Sequence, residues 1–366
     1  LRSGERALAL QSDVDLAPLT TLGIGGPARW FTSAFSADDV AAAHHWAVAE
    51  GVELFVLGGG SNLVIADEGV NGLVVHVGMR GVDFVHEGDG TVVRAGAGES
   101  WDDLVAATVV RGLAGLECLS GIPGSVGGTP VQNVGAYGQE VADTIERVTA
   151  FDRQQRCVVT LSNAECGFAY RMSRFKREDC GRFVVCDVTF RLRPGPPTAT
   201  YPDVKRYFER HAIAAPTVAD ARRAVLDIRR QKGMVIDAAD PDTRSVGSFF
   251  MNPVVDAEVH RRIAGEWPND RVPGFTLPGG SVKIPAAWLI ERAGFGKGYG
   301  SGRAGLSTKH PLAIVNRGGA SARDVLQLAA KIKRVVVDRF GIRIYPEPVF
   351  VGLAGDPDVS YLTRDA

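Results

Sequence analysis

Val56-Leu57-Gly58-Gly59-Gly60-Ser61-Asn62-Leu63-Val64 is the stretch on which the fold turns. The apolar run 52–57 has the length and continuity of a buried strand, and it empties into three consecutive glycines. Backbone without side chains lets a diphosphate approach the N–H groups closely, so a strand ending this way is a candidate anion cradle. Three further segments repeat the theme: Gly23-Ile24-Gly25-Gly26, Gly96-Ala97-Gly98, and Gly121-Ile122-Pro123-Gly124-Ser125-Val126-Gly127-Gly128-Thr129. The chain has 44 glycines in 366 residues, about 12 % against a usual ~7 %, and they cluster. The longest cluster, 121–138, packs its glycines beside Gln132, Asn133 and Tyr137, polar groups able to read a planar ring. The alternative for any single cluster is that its glycines only serve turns. No cluster is a G-x-G-x-x-G fingerprint opening a helix, and no G-K-S/T follows to make a P-loop.

Outward from this stretch, strands and helices alternate. Ser36 with Asp39 predicts a helix start, and Gly51 its stop. Strands are predicted at 73–77 and 91–95, with Gly88-Asp89-Gly90 as a hairpin turn. Ser100 caps a helix through Trp101, Leu104 and Val105 that Gly112 ends. Cys186, Val188, Phe190 and Leu192 alternate with polar residues, predicting a strand buried on one face. Pro194-Gly195-Pro196-Pro197 marks a boundary or surface loop, and a basic amphipathic helix is predicted at 218–232. Pro285 suits the first turn of a helix carrying Trp288, Leu289 and Ile290. Ser321 and Asp324 begin another, which Gly341 stops, and a terminal strand is expected over 342–351.

Composition bounds the function. Apolar residues make up 45 % and charged residues 23 %, and the net charge is −1, so no bulk field favours nucleic acid or anionic lipid. No apolar run approaches the roughly 18–20 residues of a membrane helix. Residues 1–10 lack the order of a secretory leader, and since the first residue is not Met a few residues are expected to be missing. Five cysteines, Cys118, Cys157, Cys166, Cys180 and Cys186, form no C-x-x-C pair and fit a reducing cytoplasm. The seven histidines are scattered, and no H-E-x-x-H or G-x-S-x-G is present, so neither a metal site nor a hydrolytic triad is expected. Such a chain suggests a bound cofactor that carries the hard chemistry.

The stretch 56–64 resembles the pyrophosphate loop of flavoproteins of the vanillyl-alcohol-oxidase type. Residues 120–138, SGIPGSVGGTPVQNVGAYG, resemble the signature of the UDP-N-acetylenolpyruvoylglucosamine reductase family. Tyr170-Arg171-Met172-Ser173-Arg174-Phe175-Lys176, Gly247-Ser248-Phe249-Phe250-Met251-Asn252-Pro253 and Pro346-Glu347-Pro348 resemble further motifs of that family, in order. The resemblance covers about 20–352. It implies an α+β protein, with a two-subdomain FAD-binding fold and a smaller α+β substrate-binding domain. The expected division is 1–80 completed by 342–366, then 81–215, then 216–341. Ser61-Asn62 stand where related oxidases often carry a covalent anchor histidine, so non-covalent FAD is expected. Tyr201 stands where one family type carries a substrate-covering tyrosine.

The implied reaction is NADPH-dependent reduction of UDP-N-acetylglucosamine enolpyruvate to UDP-N-acetylmuramate, for peptidoglycan. Hydride passes from flavin N5 to the terminal carbon of the enolpyruvyl group, and Ser248 gives the proton, although a small residue starting a strand before Phe249 and Phe250 is its plain alternative. Arg171 pairs with the substrate carboxylate, although an ordinary ion-pair arginine is the alternative. Glu347 acts as a neutral acid, or orients a water or Arg171; a turn residue between prolines is its plain alternative. The resemblance places FAD on Leu57, Gly58, Gly59, Gly60, Ser61, Asn62, Ile122, Gly127, Gly128, Thr129, Gln132, Asn133, Gly135 and Val185. It places the sugar nucleotide on Tyr137, Tyr170, Tyr201, Lys232 and Asn252, with Arg229 and Lys283 weaker candidates. For Lys232 a solvated helix face is the alternative. NADPH and the nucleotide are expected to take turns in one pocket, in a cytoplasmic monomer without nucleic-acid or membrane partners.

Overall fold

The computed structural model describes residues 8–198, 200–268 and 270–364; most of the N-terminal stretch 1–10 lies outside them. The chain forms two compact units. The first comprises Leu1–Asp15, Pro27–Gly60 and Val70–Val235, the second Leu16–Gly26, Ser61–Gly69 and Ile236–Ala366. Both mix helices with sheets, as expected of an α+β chain.

In the first unit the strands Gln11–Asp15, Pro27–Ala34, Val70–Val77 and Leu54–Leu57 lie side by side in that order. The first pair is antiparallel and the other two pairs are parallel. The parallel pairing needs a crossover, and the helix Ala37–Ala49 supplies it. Its start is the predicted one: Ser36 accepts a hydrogen bond from Asp39 N–H at 3.1 Å. Gly51, at φ +67°, follows its end. A second, antiparallel sheet runs Cys157–Ser162, Ile145–Asp152, Phe183–Pro194, Gly90–Gly96, Val82–Glu87. Val40, Ala43 and Ala47 of the helix share one core with Val148 and Phe151 of this sheet. Two helices, Pro202–Arg210 and Val218–Gln231, close the unit around Val204, Phe208, Ala221, Val225 and Ile228.

The strand Phe183–Pro194 corrects one expectation. Cys186, Val188, Phe190 and Leu192 are buried, but Asp187 and Thr189 on the other face are buried as well. The strand is central, flanked by Ile145–Asp152 and Gly90–Gly96, so both faces are covered. Asp187 is held there by Arg94 at 2.8 Å.

In the second unit the helix Ala322–Phe340 starts with a capping box between Ser321 and Asp324 and ends at Gly341, φ +65°. It packs with the helix Ala286–Arg292, and Phe249, Phe250, Leu289, Ile332 and Val336 fill the core. Leu22, Ile24 and Val64, from the two short early segments, are embedded in the same core. Pro285 sits at the cap of its helix rather than in the first turn. The expected strand 342–351 shrinks to Val349–Val351, parallel to Leu63–Ile65. Pro346 and Pro348 have no N–H to donate, so no continuous ladder forms through them; the Pro346 position makes only an isolated bridge with Phe250.

Candidate active site

In the first unit three glycine segments meet backbone to backbone. A methyl group on Gly59 would lie 2.6 Å from the Gly124 Cα, and one on Gly127 would lie 2.6 Å from the Ala97 Cβ. Gly59 N–H donates to Ser125 Oγ at 3.1 Å, and Gly127 N–H to Ala97 O at 2.8 Å. Close packing explains those glycines. Gly128 is different: its backbone is right-handed, at φ −77°, and nothing lies within 4 Å of where its side chain would start. The missing side chain leaves open space on that side of the turn, while the N–H groups of Val126, Gly127 and Gly128 donate to the carbonyls of Glu99, Ala97 and Ser125. Leu57 ends its strand fully buried, Val185 is buried in the central strand, and Ile122 is half-buried.

The turn that follows carries the candidate ring-reading residues. Asn133 is left-handed, at φ +44°, and its Nδ2 donates to Glu140 and to Ala169 O. Ser173 Oγ donates to Val131 O at 2.7 Å, and Lys176 to Gln132 Oε1 at 2.7 Å. These bonds staple the 169–176 segment onto the 129–135 turn. Ala169 and Met172 exchange both backbone hydrogen bonds, which closes a two-residue turn over Tyr170 and Arg171. Arg171 stands at its third position with φ +54°, a place glycine or asparagine ordinarily takes. A left-handed non-glycine residue costs on the order of 1–3 kcal/mol, which the surrounding bonds must offset. The guanidinium donates from Nη2 to Gly135 O and lies 5.4 Å from the exposed Tyr170 ring.

A second cluster joins the candidate nucleotide ligands. The rings of Tyr137 and Tyr201 meet edge to face at 5.4 Å. Lys232, at the end of the helix Val218–Gln231, binds Asp203 at 3.0 Å and sits 5.7 Å from the Tyr137 ring centre. Tyr137 is left-handed, at φ +50°. Burial pushes its phenol pKa up, so it remains a donor at neutral pH. Arg229 donates to Gly121 O at 3.2 Å and to Met234 O at 2.7 Å, so it braces the glycine turn as well as facing Tyr137.

Sequence reasoning passed over Asp102, which holds the other side of that turn. It accepts Gly121 N–H at 2.6 Å and both Arg222 nitrogens at 2.6 and 2.8 Å. Burial works to raise its pKa, but the Arg222 bonds, the Gly121 N–H and the nearby guanidinium charges overcome it and leave the carboxyl below its usual value. No motif flags it, because its two partners lie 19 and 120 residues away.

In the second unit Ser248 and Glu347 lie on neighbouring backbone segments. Glu347 N–H donates to Phe249 O at 2.8 Å, and Met251 N–H to Tyr345 O at 2.9 Å. Gly247, at φ +75°, turns the chain just before Ser248, and its N–H donates to Ser245 Oγ at 3.1 Å. Both Ser248 and Glu347 are half-buried. Asn62 Nδ2 donates to Glu347 O at 3.3 Å, and Asn62 O accepts Val349 N–H at 2.9 Å, so Asn62 straddles the proline-flanked segment. Asn252 Oδ1 accepts Ala286 N–H at 2.9 Å. It thereby caps a helix that Pro285, lacking a polar side chain, cannot cap. Lys283 is half-buried in the strand Val282–Lys283, paired with Val254 and Phe275. Among the described residues no His, Cys, Asp and Glu group is placed to hold a metal, and no helix is long and apolar enough to cross a membrane.

Residues 31–160 match the family model of an FAD binding domain, and 240–351 that of the UDP-N-acetylenolpyruvoylglucosamine reductase C-terminal domain. The chain is 48 % identical over 353 residues to the UDP-N-acetylenolpyruvoylglucosamine reductase of Thermobifida fusca, covering 93 % of this chain and 98 % of that one. It is 50 % identical to that of Saccharopolyspora erythraea, covering 93 % and 95 %. The crystal structure of the enzyme from Thermus caldophilus superposes with a TM-score of 0.63 at 26 % identity, covering 94 % of this chain and 99 % of that one. The glycine segments at 58–60, 96–98 and 121–128 thus lie within an FAD-binding domain. The chain belongs to the UDP-N-acetylenolpyruvoylglucosamine reductases, FAD-dependent oxidoreductases of peptidoglycan precursor synthesis.

Proposed function

We propose that the chain reduces UDP-N-acetylglucosamine enolpyruvate to UDP-N-acetylmuramate at the expense of NADPH, in the cytoplasm and as a monomer, with FAD held non-covalently. The single observation that carries this reading is Arg171. It is a cation locked in a left-handed turn, stapled to the turn beside the glycine signature. A strained arginine at that place suits a substrate carboxylate, onto which a guanidinium forks with two donors. FAD, when bound, would supply the hydride for the terminal carbon of the enolpyruvyl group.

The double bond of an enol ether is electron-rich, so the addition proceeds only if the attached carboxylate accepts the charge. Arg171 stabilises that charge; a pre-aimed donor in a dry site contributes about 3–4 kcal/mol. Ser248 gives its hydroxyl proton to the adjacent carbon. Glu347, on the backbone segment beside Ser248, orients a water beside the reacting group. Tyr137, Tyr201, Lys232 and Asn252 hold the nucleotide diphosphate, with Tyr170 and Arg229 beside them, and NADPH uses the same groups in turn. Leu57 to Asn62, Ile122, Gly127 to Thr129, Gln132, Asn133, Gly135 and Val185 hold FAD. Residues 1–80 with 342–366, and 81–215, form its two subdomains, and 216–341 the substrate-binding part.

The test is stoichiometric. Purified holoenzyme given NADPH and UDP-N-acetylglucosamine enolpyruvate without oxygen is expected to consume one NADPH per UDP-N-acetylmuramate formed. NADPH consumption that ignores the enolpyruvyl nucleotide and follows oxygen instead would assign the chain to a different acceptor.

A further inference from the structure

Four residues before Gly121, Glu117 is fully buried. Its partners are neutral donors from three separate segments. Oε2 accepts Gly115 N–H at 2.7 Å, while Oε1 accepts Gln139 Nε2 at 2.8 Å and Thr198 N–H at 2.7 Å. Cys118, also fully buried, returns both of the latter contacts. Its N–H donates to Gln139 Oε1 at 2.8 Å and its Sγ to Thr198 O at 3.2 Å. The dipeptide therefore clasps one side-chain amide and the backbone N–H and C=O of one residue, each by a donor and an acceptor. Burial, then the Glu117 charge, pushes the Cys118 thiol up to about 12, so it keeps the proton it donates.

The two clasped groups are not arbitrary. Gln139 is two residues beyond Tyr137, and Thr198 is three residues before Tyr201. The segments touch again at Gly138, where a methyl group would lie 2.9 Å from Thr200 Oγ1. They touch a third time where the Tyr137 and Tyr201 rings meet at 5.4 Å. A buried carboxylate is costly to desolvate and persists only where its donors are held in place. That demand also works in reverse: the carboxylate fixes where its donors, and the chain attached to them, stand.

We infer that Glu117 is a positioning residue for sugar-nucleotide binding: with Cys118 it sets the spacing between the Tyr137 turn and the segment leading to Tyr201. The inference rests on the role proposed above for Tyr201. Glu117 touches neither substrate nor flavin, so its removal acts on nucleotide affinity through the tyrosines. Gln at this position turns one acceptor oxygen into a donor that faces another donor. Thr198→Pro deletes the amide donor on the Tyr201 side, together with the threonine side chain, in a partly exposed loop, and so tests the same link where Glu117→Gln fails to fold.

The experiment is a double-mutant cycle on holoenzyme, read as KM for UDP-N-acetylglucosamine enolpyruvate and as kcat. Glu117→Gln is expected to raise that KM about tenfold, with kcat within about threefold and flavin content unchanged; Thr198→Pro moves KM the same way by about threefold. Added to Tyr201→Ala, each changes KM by less than about twofold, because the tyrosine they position is gone. A loosened fold would instead add its full effect in either background. The inference is overturned if KM stays at the parent value, or if the full rise persists without Tyr201. Should Tyr201→Ala alone leave KM unchanged, the nucleotide role of Tyr201 falls, and the positioning role of Glu117 falls with it.

Discussion

Arg171 sits in a backbone conformation that favours glycine, at φ +54°, and its stability and its chemistry should therefore come apart on substitution. Arg171→Gly relieves strain but loses the bond to Gly135 O. The two roughly offset, so stability by denaturant titration should stay within about 1 kcal/mol of the parent. Turnover should nevertheless fall at least ~10²-fold, and Arg171→Lys should not restore it, because an ammonium cannot fork onto a carboxylate. A lysine variant with near-parent kcat would remove the bidentate role. Ser248 has a narrower expectation. Ser248→Ala should leave flavin bleaching by NADPH at the parent rate and slow reoxidation by the enolpyruvyl nucleotide by at least ~10²-fold, within the usual range for a lost proton donor. Equal slowing of both half-reactions would make Ser248 structural.

At the scale of elements, two glycines, one from the 56–64 stretch and one from the 120–138 signature, answer different questions. Gly59→Ala drives a methyl group into the Gly124 backbone, so it should lower the melting temperature of the apoprotein, as overpacking by one carbon costs about 1–3 kcal/mol. Gly128→Ala meets no atom and needs no special φ. It should leave apoprotein melting unchanged and weaken FAD by roughly tenfold or more, since a methyl group then stands in the space left for the cofactor. FAD affinity equal to the parent's would move the cofactor away from Gly128. The antiparallel sheet carries its own pH signature. Asp152, buried on the strand Ile145–Asp152, takes a fork of bonds from Arg182, which holds its carboxyl down at about 2. A carboxyl depressed on folding stabilises the protein above its unfolded pKa, and that contribution is lost as pH falls through the folded one. Asp152→Asn should therefore cost on the order of 2 kcal/mol near neutral pH, and the gap to the parent should close between about pH 4 and 2. A gap that stays constant across that window would assign the effect to packing.

Signals confined to one stretch of chain were legible in the sequence. The Ser36 and Ser321 caps, the Gly51 and Gly341 stops and the Gly88 hairpin turn all stand where expected. What depended on remote partners was not legible. Asp187 and Thr189 read as a solvated face because nothing local says that their strand is central. The strand expected at 342–351 failed on two prolines whose missing donors matter only against a neighbouring segment. Asn252 and Asn62 read as ligand groups, and the structure shows each also holding backbone, at Ala286 and at Glu347. Glu117 and Asp102 carried no signal at all, since their partners are spread over 81 and 120 residues of sequence.

For the molecule as a whole, the central claim is that a flavin reduced by NADPH returns its electrons to an enolpyruvyl nucleotide. Sequential stopped-flow mixing without oxygen reads this from the flavin absorbance. NADPH should bleach the yellow holoenzyme, and UDP-N-acetylglucosamine enolpyruvate, mixed in second, should restore the colour at least as fast as steady-state turnover. Colour that NADPH fails to bleach, or that returns only when oxygen is admitted, would contradict the account.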